Sequence, residues 1–185
     1  FDKSTPEEKL RFFYLPPSFV ASQYRLLQDV HTAMELYGVS YFIESGTLLG
    51  AMRHGGIIPW DDDVDIGVMD TQLQVLQSHV IPHLKKMGYT VGFPRGPQGQ
   101  PSSRFDQGSW HGFQVSNGVC HLDIFLYAKK PSGKVRYRTN FCAHQFFYEH
   151  ELFPLKRYTL GPLAVWGPKD PVPYLNRSYK DWGEK

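Results

Sequence analysis

The stretch ESGTLLGAMRHGGIIPWDDDVDI, residues Glu44–Ile66, decides the fold of this chain. Its end continues into an alternation of apolar residues over Val64–Val68, with Asp63 and Asp65 at intervening positions. Period-two alternation is typical of a β-strand that has one apolar face and one functional face. The two carboxylates are therefore expected to point in the same direction.

The beginning of the same stretch predicts an anion-binding turn. The apolar run Val39–Ile43 is too short for a helix and rich in β-forming residues, so we expect a strand there. The Ser-Gly-Thr turn that follows breaks this run and can cap a short helical segment, Leu48–Met52. Glycine permits close approach of a ligand to the backbone, and the N–H groups of the next turn attract anions. The residues predicted to bind phosphate are Ser45, Gly46, Thr47, Arg53 and His54, with a solvated surface position as the alternative for Arg53.

The acidic run that follows predicts a metal site. Asp61, Asp62, Asp63 and Asp65 place four carboxylates within five residues, and such like charges repel unless a cation lies among them. A solvated acidic turn is the alternative, but Asp63 and Asp65 lie inside an apolar alternation rather than in a polar linker. Hard oxygen ligands in a partly open site favour Mg²⁺ or Mn²⁺, with substrate phosphates completing the coordination shell.

A further carboxylate is expected from a neighbouring strand. In the segment HLDIF, residues His121–Phe125, Asp123 shares a face with His121 and lies opposite Leu122 and Ile124. An aspartate inside a strand is disfavoured unless it is paired or binds a metal. Together with Asp63 and Asp65, Asp123 completes a carboxylate triad on two strands that can hold one or two metals over a phosphate.

The remaining pattern predicts an α+β fold with a mixed β-sheet, flanking helices and an irregular Pro-rich C-terminal part. The length suits a single domain over residues 1–185, in which residues 1–17 form an N-terminal extension and Ser18 caps the first helix. Residues 94–109 are predicted to form a loop. The expected helices are Phe19–Tyr37 and Thr71–Met87, the latter kinked or split at Pro82, and the further expected strands are Tyr89–Phe93, Phe113–Ser116 and Cys120–Tyr127, the last two joined by an Asn117-Gly118 turn.

Composition and charge exclude several classes of function. The chain has 20 Lys+Arg against 18 Asp+Glu, and a formal charge of +2 is too small for a general nucleic-acid binder. No apolar run approaches the roughly 18–20 residues of a membrane span, so we expect a soluble chain without one. Because the sequence starts at Phe1 rather than Met, removal of a signal peptide, an anchor or another domain is left open. Cys120 and Cys142 are either buried thiols or one disulfide.

The long ordered stretch Glu44–Ile66 resembles the signature of the LicD family. Asp123, within the segment HLDIF, is similar to the downstream metal-binding aspartate of that family. The resemblance covers roughly Val39–Trp182 and implies a nucleotidyltransferase-type fold. Lys180 stands where a glycine often follows the tyrosine in the family, which puts recognition of the acceptor or of the donor alcohol in doubt. The C-terminal segments that carry the resemblance are Glu151–Leu155, Pro168–Pro171, Tyr174-Leu175 and Tyr179–Trp182.

Members of this family transfer a phosphorylated alcohol, such as phosphocholine or ribitol phosphate, from a CDP-linked donor to a sugar hydroxyl. The resemblance implies that Asp63, Asp65 and Asp123 bind the metals, with Asp61 as a further contact. The implied mechanism is direct transfer: the phosphate-binding residues hold the donor pyrophosphate and an acceptor hydroxyl attacks in line, without a protein nucleophile. Either Asp123 or His121 takes the acceptor proton, and the alternative for His121 is a structural role in the strand.

Two other functions are compatible with the residues. A metal-dependent glycosyltransferase would use the acidic residues to bind a nucleotide sugar and would release a nucleoside diphosphate instead of CMP. A non-catalytic metal- or glycan-binding module would gain stability from the ion without turnover. Trp60, Phe113 and Trp110 either stack on the cytosine or, as we favour, pack in the core. The resemblance to eukaryotic relatives suggests the Golgi lumen, and a bacterial relative would be cytoplasmic.

Overall fold

The computed structural model describes residues 14–93, 112–138 and 144–183. Over these ranges the chain forms a seven-stranded mixed sheet and a separate two-stranded hairpin. The main path through the sheet has the order β1-β2-β5-β4-β3, and β6 and β7 extend it beyond β5. The strands are β1 (Tyr41–Ile43), β2 (Asp63–Met69), β3 (Thr90–Gly92), β4 (Gly112–Ser116), β5 (His121–Lys129), β6 (Lys134–Tyr137), β7 (Phe146–Tyr148), β8 (Lys156–Leu160) and β9 (Leu163–Gly167).

Helices flank the sheet, as predicted for an α+β fold. The long helix α1 begins at Pro17, within the predicted extension, because the fixed φ of proline suits the first helical position. The cap is therefore Pro16, and the expectation that Ser18 caps this helix is wrong. The helices are α1 (Pro17–Leu36), α2 (Ser45–His54), α3 (Leu73–Val75), α4 (Ile81–Lys86), α5 (Glu149–Leu152) and α6 (Val172–Ser178).

The second predicted helix is divided into segments. A 3₁₀ turn at Asp70–Gln72 leads into α3, and a π-helical segment, Leu76–Val80, joins α3 to α4. Pro82 is the second residue of α4, so the N–H that proline lacks falls at the junction between the π-helical segment and α4. The widened π turn thus comes directly before the proline that was expected to kink or split this helix.

Strand β2 runs parallel to β5, whereas every other pairing of strands within the described residues is antiparallel. Strands β4 and β5 meet at the predicted Asn-Gly turn, where the Asn117 side chain accepts hydrogen bonds from the N–H groups of Val119 (2.9 Å) and Cys120 (3.0 Å). Cys120 is buried and free, and Cys142 lies outside the described residues. The predicted loop over residues 94–109 also lies outside them.

The apolar face of the central strands carries the core. Tyr41 lies on this face, opposite Val68, and its hydroxyl is 2.9 Å from Nδ1 of His31 on α1, so α1 covers this side of the sheet. The fully buried residues of this layer include Leu26, Leu27, Val30 and Met34 of α1, Val64, Ile66 and Val68 of β2, and Leu122 and Leu126 of β5.

The opposite face carries aromatic side chains at one end and the acidic residues at the other. Gly67 makes this packing possible, because a Cβ there would lie 2.4 Å from the Phe42 ring and 3.0 Å from that of Tyr127. The Tyr174 ring of α6 stacks on Phe147 of β7 with their centroids 4.1 Å apart. The Pro-rich C-terminal part consists of short elements: α5, the β8-β9 hairpin and α6. No helix in the three described ranges is long and apolar enough to cross a bilayer.

Candidate active site

The parallel pairing of β2 with β5 brings together the acidic residues predicted from the two motifs. In this register Asp63 lies beside His121, and Asp65 lies beside Asp123. A carboxylate oxygen of Asp63, a ring nitrogen of His121 and a carboxylate oxygen of Asp123 lie within 4.8 Å of one another. Oδ1 of Asp123 also accepts a hydrogen bond from the Gln114 amide on β4 (3.0 Å). The expectation that Asp123 shares a face with the β2 carboxylates is therefore confirmed.

The residues before β2 form a second acidic group that overlaps the first. Asp61, Asp62 and Asp63 offer carboxylate oxygens within 4.8 Å of one another, and Asp62 is the exposed member. The Asp61 side chain lies against the first turn of α2, because a Cβ on Gly46 would be only 2.3 Å from Oδ2 of Asp61. A larger residue at position 46 would therefore displace the Asp61 carboxylate.

The carboxylates are held in an environment that opposes their ionisation. Burial raises the pKa of Asp61 to about 7, and the charges of Asp63 and Asp62 add to the rise. Burial also raises the pKa of Asp65 well above its ordinary value, with further contributions from Asp63, Glu44 and Asp123. The pKa of Asp123 rises to about 6, again chiefly through burial, although its hydrogen bond with Gln114 opposes the rise. A divalent cation among these oxygens would remove the mutual repulsion, and a set of hard oxygen donors fits Mg²⁺ or Mn²⁺.

Helix α2 presents its N-terminal turn to the acidic residues. The predicted Ser-Gly-Thr turn is itself helical, so α2 begins at Ser45 and not after the turn. The first intrahelical hydrogen bond runs from the N–H of Leu48 to the carbonyl of Glu44 (2.9 Å), so the N–H groups of Gly46 and Thr47 precede the helical ladder, where such groups can bind an anion. The Thr47 hydroxyl accepts a hydrogen bond from the N–H of Asp65 (2.8 Å) and so joins the turn to β2.

The other two residues predicted to bind phosphate lie at the opposite end of the same helix. Arg53 and His54 occupy the last turn of α2, about 12 Å along the axis from Ser45 at 1.5 Å per residue. The His54 ring packs edge-on against Trp60, with their centroids 6.0 Å apart. The structure therefore does not bring the backbones of Arg53 and His54 to the phosphate turn, and their donor-binding role stays a prediction.

The aromatic residues considered for base stacking fall into different environments. Phe113 is buried and stacks with Phe93, as expected for a core residue. Trp60 is 52% exposed and lies directly before the acidic run, so the expectation that it packs in the core is wrong. Trp110 lies outside the described residues.

Three residues near the site had no role in the sequence-based prediction. Gln23 of α1 is fully buried, and its amide donates to the carbonyls of Asp61 (2.9 Å) and Asp63 (3.4 Å). Glu44, directly before α2, is fully buried among tyrosine hydroxyls. The pKa of Tyr179 is raised chiefly by burial and then by the charge of Asp65, which places this tyrosine beside the carboxylates. A polar residue on the apolar face of α1 was the available signal for Gln23.

The fold of this chain is similar to that of solved nucleotidyltransferase structures. The solution structure of the antibiotic-resistance factor ANT(2″)-Ia superposes with a TM-score of 0.53 over 80% of this chain and 66% of that chain, at 14% sequence identity. The crystal structure of ANT(2″)-Ia with adenylyl-2″-tobramycin gives a TM-score of 0.51 over 80% of this chain and 70% of that chain, at 15% identity. These likenesses show a nucleotidyltransferase-type fold.

The sequence defines the family within that fold. Residues 38–170 match the family described as LicD/FKTN/FKRP, nucleotidyltransferase domain. The chain belongs to the LicD family.

The relatives differ in how much of the chain they share. An uncharacterized protein of Rickettsia prowazekii is 37% identical over 180 residues, which cover 95% of this chain and 60% of that protein. The human ribitol 5-phosphate transferase FKRP is 46% identical over 55 residues, 30% of this chain and 11% of FKRP. The lipopolysaccharide cholinephosphotransferase LicD of Haemophilus influenzae is 51% identical over 41 residues, 22% of this chain and 16% of LicD. This chain therefore spans 60% or less of each of these relatives.

Proposed function

We propose that this chain is a phosphotransferase that moves a phosphorylated alcohol from a CDP-linked donor to a hydroxyl of a glycan or glycoconjugate. The in-register pairs Asp63–His121 and Asp65–Asp123, next to the N-terminal turn of α2, carry the proposal. Carboxylates for a cation and free N–H groups for phosphate oxygens are what a transfer between two oxygen atoms requires. The names of the relatives FKRP and LicD, which are phosphate transferases, support the same class of reaction.

The acidic residues and the start of α2 have separate roles in the proposed reaction. Mg²⁺ or Mn²⁺ would be held by Asp61, Asp63, Asp65 and Asp123, and when bound it would neutralise charge on the donor pyrophosphate. The N–H groups at the start of α2 donate to oxygens of the same pyrophosphate and orient it. The acceptor oxygen attacks in line at the phosphorus that carries the alcohol and forms a new P–O bond, while the bond from that phosphorus to the bridging oxygen breaks and CMP leaves with the bridging oxygen.

Two groups are placed to take the proton of the acceptor hydroxyl. His121 lies 3.9 Å from Asp63, which can stabilise the imidazolium once the proton has moved. Asp123 is the other base, and its raised pKa brings its proton affinity closer to neutrality. Replacing His121 with Gln separates these assignments: if His121 is the base, kcat falls steeply while KM changes little, whereas a structural histidine leaves kcat nearly unchanged.

The reaction is tested by identifying the nucleotide product. The protein is incubated with Mn²⁺ or Mg²⁺, a mixture of CDP-alcohols and nucleotide sugars, and a panel of glycan acceptors, and the nucleotides are measured by mass spectrometry. CMP release from a CDP-alcohol that requires the cation, and that the double variant Asp63→Asn, Asp65→Asn loses, is the expected result. Release of UDP or GDP from a nucleotide sugar would establish the glycosyltransferase instead. If no product forms, thermal stabilisation by cations without any added stabilisation by CDP would establish the binding module, whereas cation-dependent stabilisation by CDP would indicate a missing acceptor.

The proposed compartment is based on the relatives with the higher sequence identity over most of the chain. The relatives from Rickettsia prowazekii and Rickettsia typhi are bacterial and 37% and 38% identical, whereas mouse FKTN matches 85% of the chain at 28% identity and FKRP matches over a shorter segment. We therefore propose a cytoplasmic enzyme that modifies a bacterial glycoconjugate, in preference to the Golgi location. Fractionation of the native organism, with the protein detected by antibody, tests this location directly.

A further inference from the structure

A buried carboxylate lies directly beneath the phosphate turn. Glu44 is fully buried, and its Oε2 accepts hydrogen bonds from the hydroxyls of Tyr127 and Tyr137, the latter at 2.9 Å. The Ser45 hydroxyl is 3.5 Å from the same oxygen. Three hydroxyls from β5, β6 and α2 thus converge on one carboxylate oxygen. A carboxylate is retained in such a place only where several donors offset the loss of its hydration.

The residue next to Glu44 has an unusual backbone conformation. Ser45 has a φ of +45°, in the left-handed region that residues with a Cβ rarely adopt. Such a conformation persists only where surrounding contacts enforce it. The contacts are present: the Ser45 hydroxyl lies between Oε2 of Glu44 at 3.5 Å and the hydroxyl of Tyr174 at 3.4 Å.

The strained residue is also the first residue of α2, so its conformation sets the direction of the helix start. The next residue, Gly46, lies against Oδ2 of Asp61, and Thr47 accepts the N–H of Asp65. A rotation at Ser45 would therefore move the phosphate-binding N–H groups relative to both carboxylates. The backbone conformation of Ser45 therefore controls how the N–H groups of α2 are aligned with the carboxylates of Asp61 and Asp65.

We propose that Glu44 is a positioning residue, which together with Tyr174 holds Ser45 in the left-handed conformation so that the N–H groups of α2 face the acidic residues. Glu44 itself does not touch the substrate, since it is fully buried. The inference rests on the proposed function for the identity of the anion, the donor pyrophosphate. The role of Glu44 does not depend on that identity, because Glu44 determines the affinity of this turn for any pyrophosphate group.

The test uses inorganic pyrophosphate with Mg²⁺ as the probe and isothermal titration calorimetry as the readout. Glu44→Gln and Tyr174→Phe are each expected to weaken pyrophosphate binding by about tenfold, the scale of one restraint on a strained residue. Tyr41→Phe is the matched control, because it removes an equally buried tyrosine hydroxyl whose partner is His31 on the other face of the sheet. This control is expected to change binding by less than about twofold.

A second variant separates positioning from a general loss of structure. Glycine adopts a positive φ without strain, so Ser45→Gly removes the need for the restraint. Glu44→Gln is then expected to weaken binding much less in the Ser45→Gly background, by about threefold or less, and this coupling is what positioning predicts. If Glu44 is purely structural, Glu44→Gln lowers the melting temperature and reduces the fraction of protein that can bind. That fraction would fall by the same factor with Ser45 and with Ser45→Gly, and this result would overturn the inference.

The remaining outcomes distinguish the inference from the proposed function. Equal weakening by Tyr41→Phe would overturn the inference, because the effect would then follow any loss of a buried hydroxyl. Failure of the unmodified protein to bind pyrophosphate would overturn both the phosphate turn and the role of Glu44. Binding of pyrophosphate with the expected coupling, but without CMP release from any CDP-alcohol, would overturn the proposed function alone.

Discussion

Replacement of Asp123 by Asn is expected to stabilise the cation-free protein near neutral pH. Burial raises the pKa of Asp123 from 3.8 to about 6 in the folded protein. The folded state therefore binds more protons than the unfolded state between these values, and stability falls as the pH rises through this window. About two pKa units correspond to roughly 3 kcal/mol at about 1.4 kcal/mol each, and solvent screening reduces this to about 1–2 kcal/mol.

The substitution isolates the charge, because Asn keeps the oxygen that accepts the Gln114 hydrogen bond. With EDTA present, Asp123→Asn is expected to raise Tm by about 2–8 °C near pH 7.5, and the difference shrinks toward about pH 4. Added Mn²⁺ should raise Tm of the unmodified protein but not of the variant. Asp170→Asn is the control, since this exposed aspartate also accepts one hydrogen bond, from the N–H of Val172 (3.2 Å).

The reasoning is refuted by either of two results from differential scanning calorimetry. A variant less stable than the unmodified protein near pH 7.5 would mean that burial of the Asp123 charge does not destabilise the cation-free protein. A variant that keeps the full response to Mn²⁺ would mean that this carboxylate does not contact the cation.

Three further substitutions test the other parts of the site. Gly46→Ala places a Cβ 2.3 Å from Oδ2 of Asp61, so we expect Mn²⁺ affinity measured by calorimetry to fall by about tenfold or more; unchanged affinity would show that Asp61 is not a ligand. Gln23→Met removes the donor to the carbonyls of Asp61 and Asp63, so the free energy of unfolding measured in urea should fall by about 1–3 kcal/mol and stabilisation by the cation should weaken. A loss of stability alone would limit Gln23 to a structural role. Trp60→Ala removes a side chain that is 52% exposed, so Tm should change little while KM for the CDP-linked donor rises several-fold; an unchanged KM would exclude stacking of the base on Trp60.

The acidic half of the site was predictable from sequence because it depends on strand periodicity. Asp63 and Asp65 alternate with buried apolar residues in β2, and Asp123 does the same in β5, so the face of each carboxylate follows from its position alone. Adjacency of the two strands was expected because a metal site needs a further carboxylate, and the periodicity of the strands alone does not establish it. Their register could not be derived at all, because a parallel pair is separated by a long crossover whose length does not fix the offset.

The supporting half of the site could not be predicted because it depends on contacts between distant segments. Glu44 lies next to the predicted phosphate turn in sequence, but its hydrogen-bond partners Tyr127 and Tyr137 are 83 and 93 residues away. Tyr127 continues the face of Asp123 along β5, so its orientation could be inferred, whereas its carboxylate partner could not. For Arg53, proximity in sequence predicted a shared site with the phosphate turn; the structure separates their backbones by the length of α2, and the role of the Arg53 side chain stays a prediction.

The direction of β1 explains why the site lies at the amino-terminal ends of β2 and β5. In open parallel sheets, ligands usually bind beyond the carboxyl ends of the strands, where helices begin. Here β1 is antiparallel to β2, with Ile43 opposite Ile66, and the N–H of Glu44 bonds to the carbonyl of Asp65 (3.2 Å). The carboxyl end of β1 therefore delivers the start of α2 to the amino end of β2. The positive end of a helix and the carboxylates of two strands meet at one edge because one strand is reversed, and the cation and pyrophosphate of the proposed reaction need both.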